Sequence, residues 1–250
     1  MLMKDKAALV TGAASGIGRA VALAYAREGG SVVVSDIDER GGQETVDRIR
    51  HLTPGARCAF VHGDASKPED HEALVQAALD LFGALHVACN NAGIGGELKP
   101  VAELSVAGWR RVIELNLSGV FYGMRAQIPR MIEAGGGAIV NMSSVLGQVG
   151  TAGAAGYVSA KHGLLGLTRT AALEYAASGV RVNAVGPAYI DTPMLADLPP
   201  ETRRELVDMH PIGRLGRAEE VGELVSWLSS ERASFATGAY YAVDGGYLAR

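Results

Sequence analysis

Cysteine is nearly absent: Cys58 and Cys89 are the 2 in 250 residues. A disulfide-stapled scaffold is excluded by that count. Both lie on predicted strands and read as buried free thiols in a reducing compartment, with one Cys58–Cys89 bridge as the alternative. Charge of one sign is also lacking. The net charge is −4, too small to name a partner, and no basic patch suits nucleic acid. Apolar runs break off well before the about 20 residues that cross a bilayer. Met1-Leu2-Met3-Lys4-Asp5-Lys6 has no signal-peptide layout. The expectation is a cytoplasmic protein with neither a membrane nor a nucleic-acid partner. His51, His62, His71, His86, His162 and His210 show no metal-ligand spacing. Gly-x-Ser-x-Gly is missing, which excludes the nucleophile elbow of a serine hydrolase. Internal repeats, low-complexity tracts and linkers are missing too, so residues 1–250 are read as one domain.

What is present is alternation. Short apolar runs near 7–11, 31–36, 57–62, 86–90, 137–142, 180–185 and 239–243 predict strands. Helical patterns near 16–29, 39–51, 69–82, 109–134, 156–177 and 218–229 fall between them. Strand and helix in turn predict an α/β fold, a parallel sheet covered by helices on both faces. The longest irregular stretch, about 187–216, which includes a short helix ending near Met209, follows a strand end, where open α/β sheets bind ligands, and is read as a substrate lid.

The first strand runs into Thr11-Gly12-Ala13-Ala14-Ser15-Gly16-Ile17-Gly18 and then a helix. Glycines allow tight turning and close backbone approach, and a helix N-terminus offers free N–H groups. Gly12, Ser15, Gly16, Ile17 and Gly18 are therefore candidates to cradle a pyrophosphate; a turn with only a packing role is the alternative. Strand 31–36 ends at Asp36, an acid about 20 residues on, placed to accept from both adenosine ribose hydroxyls. No Arg or Lys stands at positions 12 to 18 or at 37, and Arg40 follows Asp38 and Glu39. That favours NAD over NADP. Asp36 could instead be the N-cap of the helix that starts near Glu39.

Tyr157 and Lys161 are four residues apart and share a helix face. A free phenol has a pKa of about 10, and an ammonium beside it favours the phenolate. Such a pair is the acid/base that interconverts a carbonyl and an alcohol. Ser144 follows the apolar run Ala138–Met142, at a strand end from which its hydroxyl can bond a substrate oxygen. Tyr-x-x-x-Lys by itself also occurs on solvated helix faces.

Taken in order, these motifs resemble the short-chain dehydrogenase/reductase family almost end to end. The glycine turn 11–18, Asp64 with Ala65, Asn90-Asn91-Ala92-Gly93, Asn116 in Glu114-Leu115-Asn116-Leu117, Ser144, Tyr157, Lys161, and Asn183–Thr192 all match. The resemblance implies a Rossmann fold with a doubly wound seven-stranded parallel sheet, and an NAD cofactor. It implies that Asp64 and Ala65 lie against the adenine, and that Asn91, Ala92 and Gly93 pass under the cofactor. Pro187, the Ile190 backbone and Thr192 would cover the nicotinamide. Asn116, Ser144, Tyr157 and Lys161 would be the catalytic set, with Lys161 also on the nicotinamide ribose and Asn116 kinking its helix and holding a relay water. A homotetramer through the long helices and the strand Ala239–Val243 is implied as well. One departure is Ala188 where the family has glycine after Pro187; a required positive φ there would strain the loop.

Candidate pocket walls are Ile94, Val145, Leu146, Gln148, Tyr189, Met194 and Leu195, with Ser144 and Tyr157 at the reacting end. They are mostly apolar, which suits an uncharged secondary alcohol or ketone. Acyl-carrier-protein reductases are related; their late-helix basic residues are replaced here by Met131-Ile132-Glu133-Ala134. A 3-oxoacyl-thioester reductase stays as the alternative within the family. A cofactor-binding sensor or scaffold without turnover is the alternative of another class, which the retained Ser144, Tyr157 and Lys161 argue against. Isomerisation or dehydration is a further family chemistry.

Overall fold

Runs of β-branched and small apolar residues form strands buried on both sides, the mark of a parallel sheet under helices. The computed structural model describes residues 1–196 and 198–249; Asp197 of the lid stretch lies outside the described residues. The main strands are β1 Ala7–Thr11, β2 Ser31–Asp36, β3 Cys58–His62, β4 Val87–Asn90, β5 Gly137–Met142, β6 Val180–Pro187 and β9 Tyr240–Val243. They make a 7-stranded sheet in the order β3-β2-β1-β4-β5-β6-β9, every pair parallel. This is the predicted doubly wound sheet. Its order reverses between β1 and β4, which opens a crevice at their carboxyl ends.

Alternate residues of each strand serve opposite layers. Val10, Val32, Val34 and Val140 pack toward α1 (Gly16–Arg27), α2 (Glu39–Leu52) and α8 (Ala218–Ser229) through Val21, Tyr25, Ile49, Val225 and Leu228. Leu9, Val33, Ala88 and Ile139 face α3 (Pro68–Phe82), α5 (Gly119–Glu133) and α6 (Ala155–Tyr175) through Leu74, Met124, Met131 and Ala172. Burying each large side chain contributes about 1.5–3 kcal/mol, and the two layers hold the strand ends rigid beneath the crevice. Cys58 and Cys89 are buried and free.

One predicted helix is broken. Residues 109–134 divide into α4 (Val106–Ile113), a π-helical turn Glu114–Ser118, and α5. The wide turn puts Asn116 inside, fully buried. The lid stretch forms its expected short helix and adds a strand pair around it. β7 (Ile190–Asp191) pairs with β8 (Gly216–Arg217), and α7 (Pro200–Asp208) lies between them. Arg203 joins α7 to Asp191 at 2.7 Å.

Candidate active site

The glycine turn is built for close approach. Gly12 and Gly16 have φ of +65° and +52°, values that side chains other than hydrogen disfavour. A Cβ on Gly12 would stand 2.8 Å from Ala92 Cα, and one on Gly18 would strike the Gly12 carbonyl. Ser15 precedes α1 without a side-chain cap bond, so its hydroxyl leaves the first-turn N–H groups to another acceptor. Thr192 sits across the turn, its methyl 3.3 Å from where a Gly16 Cβ would be. The donor set and the absence of side-chain bulk fit a pyrophosphate.

Asp36 belongs to this turn rather than to α2. Its carboxylate accepts from Ala14 N at 2.9 Å and from Asp38 N at 3.0 Å. The cap of α2 is Asp38, whose side chain accepts from Gly41 N at 3.0 Å. The helix-cap alternative for Asp36 is thereby removed. Behind the turn, Arg19 is spent on protein partners: its guanidinium donates to the Ala14 and Gly41 carbonyls and to Thr45 Oγ1.

The next strands extend the crevice. Asp64 accepts from Ser66 N and Oγ at 2.9 and 2.7 Å. Burial pushes its carboxyl up, but the Ser66 bonds with Lys67 and His62 outweigh this and hold it below its ordinary value. The Ala65 carbonyl bonds the buried His71 ring at 3.0 Å. Thr11 Oγ1 accepts from Asn91 N and Ala92 N at 3.1 and 3.2 Å. Asn91 in turn donates to the Thr11 and Gly12 carbonyls. Asn90 turns inward to Gln127 and Asn141, tying β4 to β5.

At the reacting end, Asn116 is locked by a reciprocal pair, accepting from Ile94 N at 2.9 Å and donating to Ile94 O at 2.8 Å. A Cβ on Gly93 would lie 3.0 Å from Asn116 Oδ1 and 3.8 Å from Lys161 Nζ, so both side chains flank this glycine. Lys161 is buried and donates to Met142 O at 2.7 Å. Its Nζ is 5.4 Å from the Tyr157 ring centre. Burial lowers its pKa from 10.5 to about 8. Ser144 caps a short turn, Val145–Gly147, by accepting from Leu146 N at 3.1 Å, and its hydroxyl also bonds the Tyr157 phenol.

The expected lowering of the Tyr157 pKa is not what the structure holds. Burial raises it, the Ser144 bond pulls it back, and nearby Tyr189 raises it further. Lys161 spends its ammonium on Met142, and desolvation wins.

Of the candidate walls, Val145 and Leu146 are buried, Ile94, Tyr189 and Leu195 half-buried, and Gln148 and Met194 exposed. Ala188 carries no strain: among the described residues the one non-glycine with positive φ is Asp5. Ala188 N donates to Val243 O at 3.1 Å, so the loop leaves Pro187 by pairing with β9. His162 is exposed and bonds Val158 O, away from this chemistry. Sequence reasoning missed two further residues. Tyr240 donates from its hydroxyl to Ser144 O at 3.2 Å, and His210 accepts from Tyr189 N at 3.3 Å. Neither pair has a local spacing that could reveal it. Among the described residues no His/Cys/Asp/Glu group could hold a metal ion, and no helix is long and apolar enough to cross a membrane.

Comparison with known proteins gives consistent relatives. The family model described as enoyl-(acyl carrier protein) reductase matches residues 12–248. The chain is 51% identical over 246 residues to cyclohexanol dehydrogenase of Acinetobacter sp. (strain SE19), covering 98% of this chain and 96% of that protein. It is 47% identical over 245 residues to cis-4-hydroxycyclohexanecarboxylate dehydrogenase of Sinomonas cyclohexanicum, covering 98% and 97%. The solved structure of levodione reductase superposes with a TM-score of 0.96 at 34% identity, covering 99% of both chains.

Proposed function

From the premise that the chain belongs to the short-chain dehydrogenase/reductase family, we propose an NAD-dependent dehydrogenase of uncharged alicyclic secondary alcohols, acting reversibly on the matching ketones. Oxidation and reduction at a secondary carbinol carbon is the reaction class of its relatives. The observation that carries the reading is the convergence of Ser144, Tyr157, Lys161 and Asn116 from three elements, the turn after β5, α6 and the π-helical turn, onto the end of the crevice. Half-buried Ile94, Tyr189 and Leu195 wall it. Apolar walls with few polar groups suit a compact hydrocarbon ring that carries one hydroxyl. The names of two relatives, for cyclohexanol and for 4-hydroxycyclohexanecarboxylate, support the alicyclic class.

A bound nicotinamide cofactor supplies the hydride acceptor. Gly12, Ser15, Gly16, Ile17 and Gly18 would hold its pyrophosphate and Asp36 its adenosine ribose. Asp64 and Ala65 would lie at the adenine, and Asn91, Ala92 and Gly93 beneath. Pro187, Ile190 and Thr192 would lie at the carboxamide. The preference for NAD rests on the Asp36 carboxylate and on Ile37, which supplies no cation for a 2′-phosphate. Ser144 Oγ orients the substrate oxygen. Tyr157 takes the hydroxyl proton in oxidation and returns it in reduction. Lys161 holds positive charge beneath the Tyr157 ring, and Asn116 keeps the wall beside it in place.

Residues from about 187 to 216 would act as the lid of a single catalytic domain. Homotetramer assembly is supported by exposed Val106, Trp109 and Phe121 on α4 and α5, Leu173 on α6, and the outer edge of β9. Light scattering tests it, and a monomer at micromolar concentration would refute it. A cytoplasmic location is supported by the two free thiols. The functional test is NADH formation with cyclohexanol, linear secondary alcohols, a hydroxysteroid and a 3-hydroxyacyl thioester. Preference for cyclohexanol is expected; preference for the thioester would replace this reading with the acyl-thioester reductase.

A further inference from the structure

We propose that His210 is a positioning residue for the substrate pocket, holding the Tyr189 wall in place, and that the C-terminal turn locks His210 from behind. The inference rests on the reading of this crevice as an alcohol pocket with Tyr189 as one wall.

Tyr189 lies between β6 and β7, close enough to Tyr157 to disfavour ionisation of the Tyr157 phenol. Both of its backbone groups are committed. Its carbonyl accepts from Gly216 N at 3.0 Å, and its N–H donates to His210 Nε2 at 3.3 Å. With both fixed, the direction of its Cα–Cβ bond is set, and the rings packed against it hold the rest of the side chain. The His210 acceptor requires one tautomer. Nδ1 is 2.6 Å from Leu206 O, so Nδ1 carries the proton and Nε2 keeps a lone pair for Tyr189. The same ring meets Tyr189 edge to face, with centres 5.9 Å apart and planes at 83°.

A third ring closes the cluster. Tyr247 lies 6.1 Å from Tyr189 and 5.7 Å from His210, centre to centre. It arrives on a turn that pins itself, since Asp244 accepts from Gly246 N and Leu248 N, each at 3.0 Å. The turn is fitted to the residues after His210. Ile212 N donates to Gly245 O at 3.1 Å. A Cβ on Gly245 would stand 2.6 Å from Ile212, and one on Gly246 3.1 Å from Pro211. His210 itself is 3% exposed. A histidine that merely filled space would need neither a defined tautomer nor the Tyr189 amide.

The test compares His210→Phe, which keeps a ring of similar size but has no acceptor, with His210→Gln, whose side-chain oxygen can accept from Tyr189 N. Steady-state kinetics with cyclohexanol, NAD saturation and thermal melting are measured on each. His210→Phe should raise KM for cyclohexanol about three- to tenfold, the worth of one hydrogen bond. The kcat should stay within about threefold, and KM for NAD unchanged. His210→Gln should recover most of the loss. An unchanged cyclohexanol KM in His210→Phe overturns the proposal, as does an equal rise in KM for NAD, or a Gln variant no better than Phe. If His210→Phe fails to fold, Tyr247→Leu carries the test: the same selective rise in KM is expected, and an unchanged KM overturns the proposal. If the unmodified enzyme prefers another secondary alcohol, the alicyclic reading fails separately, and the variants are measured on that alcohol.

Discussion

Lys161 Nζ donates to the backbone carbonyl of Met142 across 2.7 Å, joining α6 to the end of β5 beneath the Tyr157 ring. The bond fixes the ammonium where water cannot reach it, and the cost shows in a pKa lowered from 10.5 to about 8. At about 1.4 kcal/mol per pH unit, folding with this charge buried costs roughly 3 kcal/mol below pH 8. The unfolded chain binds the proton more tightly, so the penalty is relieved as pH rises from about 8 to 10.5. Lys161→Met should therefore be inactive yet more stable at pH 7 by about 2 kcal/mol, after loss of the Met142 bond. The advantage should vanish by pH 10.5. Urea unfolding of both proteins across that range checks this; a stability difference independent of pH would refute it.

Asp36 should decide the cofactor. Charge-assisted hydrogen bonds contribute about 1.5–3 kcal/mol each, so the unmodified enzyme should prefer NAD by about ten- to a hundredfold or more in kcat/KM. Asp36→Ala should narrow the gap, also because the Ala14 and Asp38 amides lose their acceptor. Ile37→Arg added to it should narrow the gap further. Comparable use of NAD and NADP by the unmodified enzyme would show that Asp36 does not discriminate.

Tyr240 should act on Ser144 from a distance. Its hydroxyl donates to the Ser144 carbonyl at 3.2 Å. Burial and then Asp244 push its pKa up to about 12, so it remains a donor throughout the working range. Tyr240→Phe should lower kcat/KM about two- to tenfold, the range of one neutral hydrogen bond. Gly186→Ala should do more damage, because its methyl would strike the Tyr240 ring. Full activity in both variants would leave Ser144 without this support.

The rate should follow the protonation of Tyr157. Burial raises its pKa above the ordinary phenol, so the form that donates to a ketone predominates near neutrality. Oxidation needs the other form. The kcat/KM for alcohol oxidation should rise with pH above 7, while that for ketone reduction should stay level until the pH nears the raised phenol pKa. A profile flat in both directions from pH 6 to 10 would remove Tyr157 from proton transfer.

The layer structure was legible because the signal is local. Ser31–Asp36 reads as a buried parallel strand from Val32, Val33 and Val34 alone, and the structure buries all three. The glycine turn was legible for the same reason. The kink at Asn116 came only through the family resemblance, since the π-helical turn depends on Ile94, which holds Asn116 from a different element. The partners of Tyr189 and Ser144 were not legible, as they stand 21 and 96 residues away. The direction of the Tyr157 shift was misjudged because spacing shows which side chains are neighbours and not how deeply both are buried.

The most direct measurement is turnover by Tyr157→Phe. The substitution keeps the ring against Lys161 and removes the one oxygen that can exchange a proton with substrate. General acid–base catalysis is worth about 10²–10⁴-fold. Cyclohexanol oxidation, or that of whichever secondary alcohol the unmodified enzyme prefers, should fall by that factor. NAD binding followed by protein fluorescence should stay nearly unchanged. Turnover within a few-fold of the unmodified enzyme, in a folded variant that binds NAD, would contradict the account.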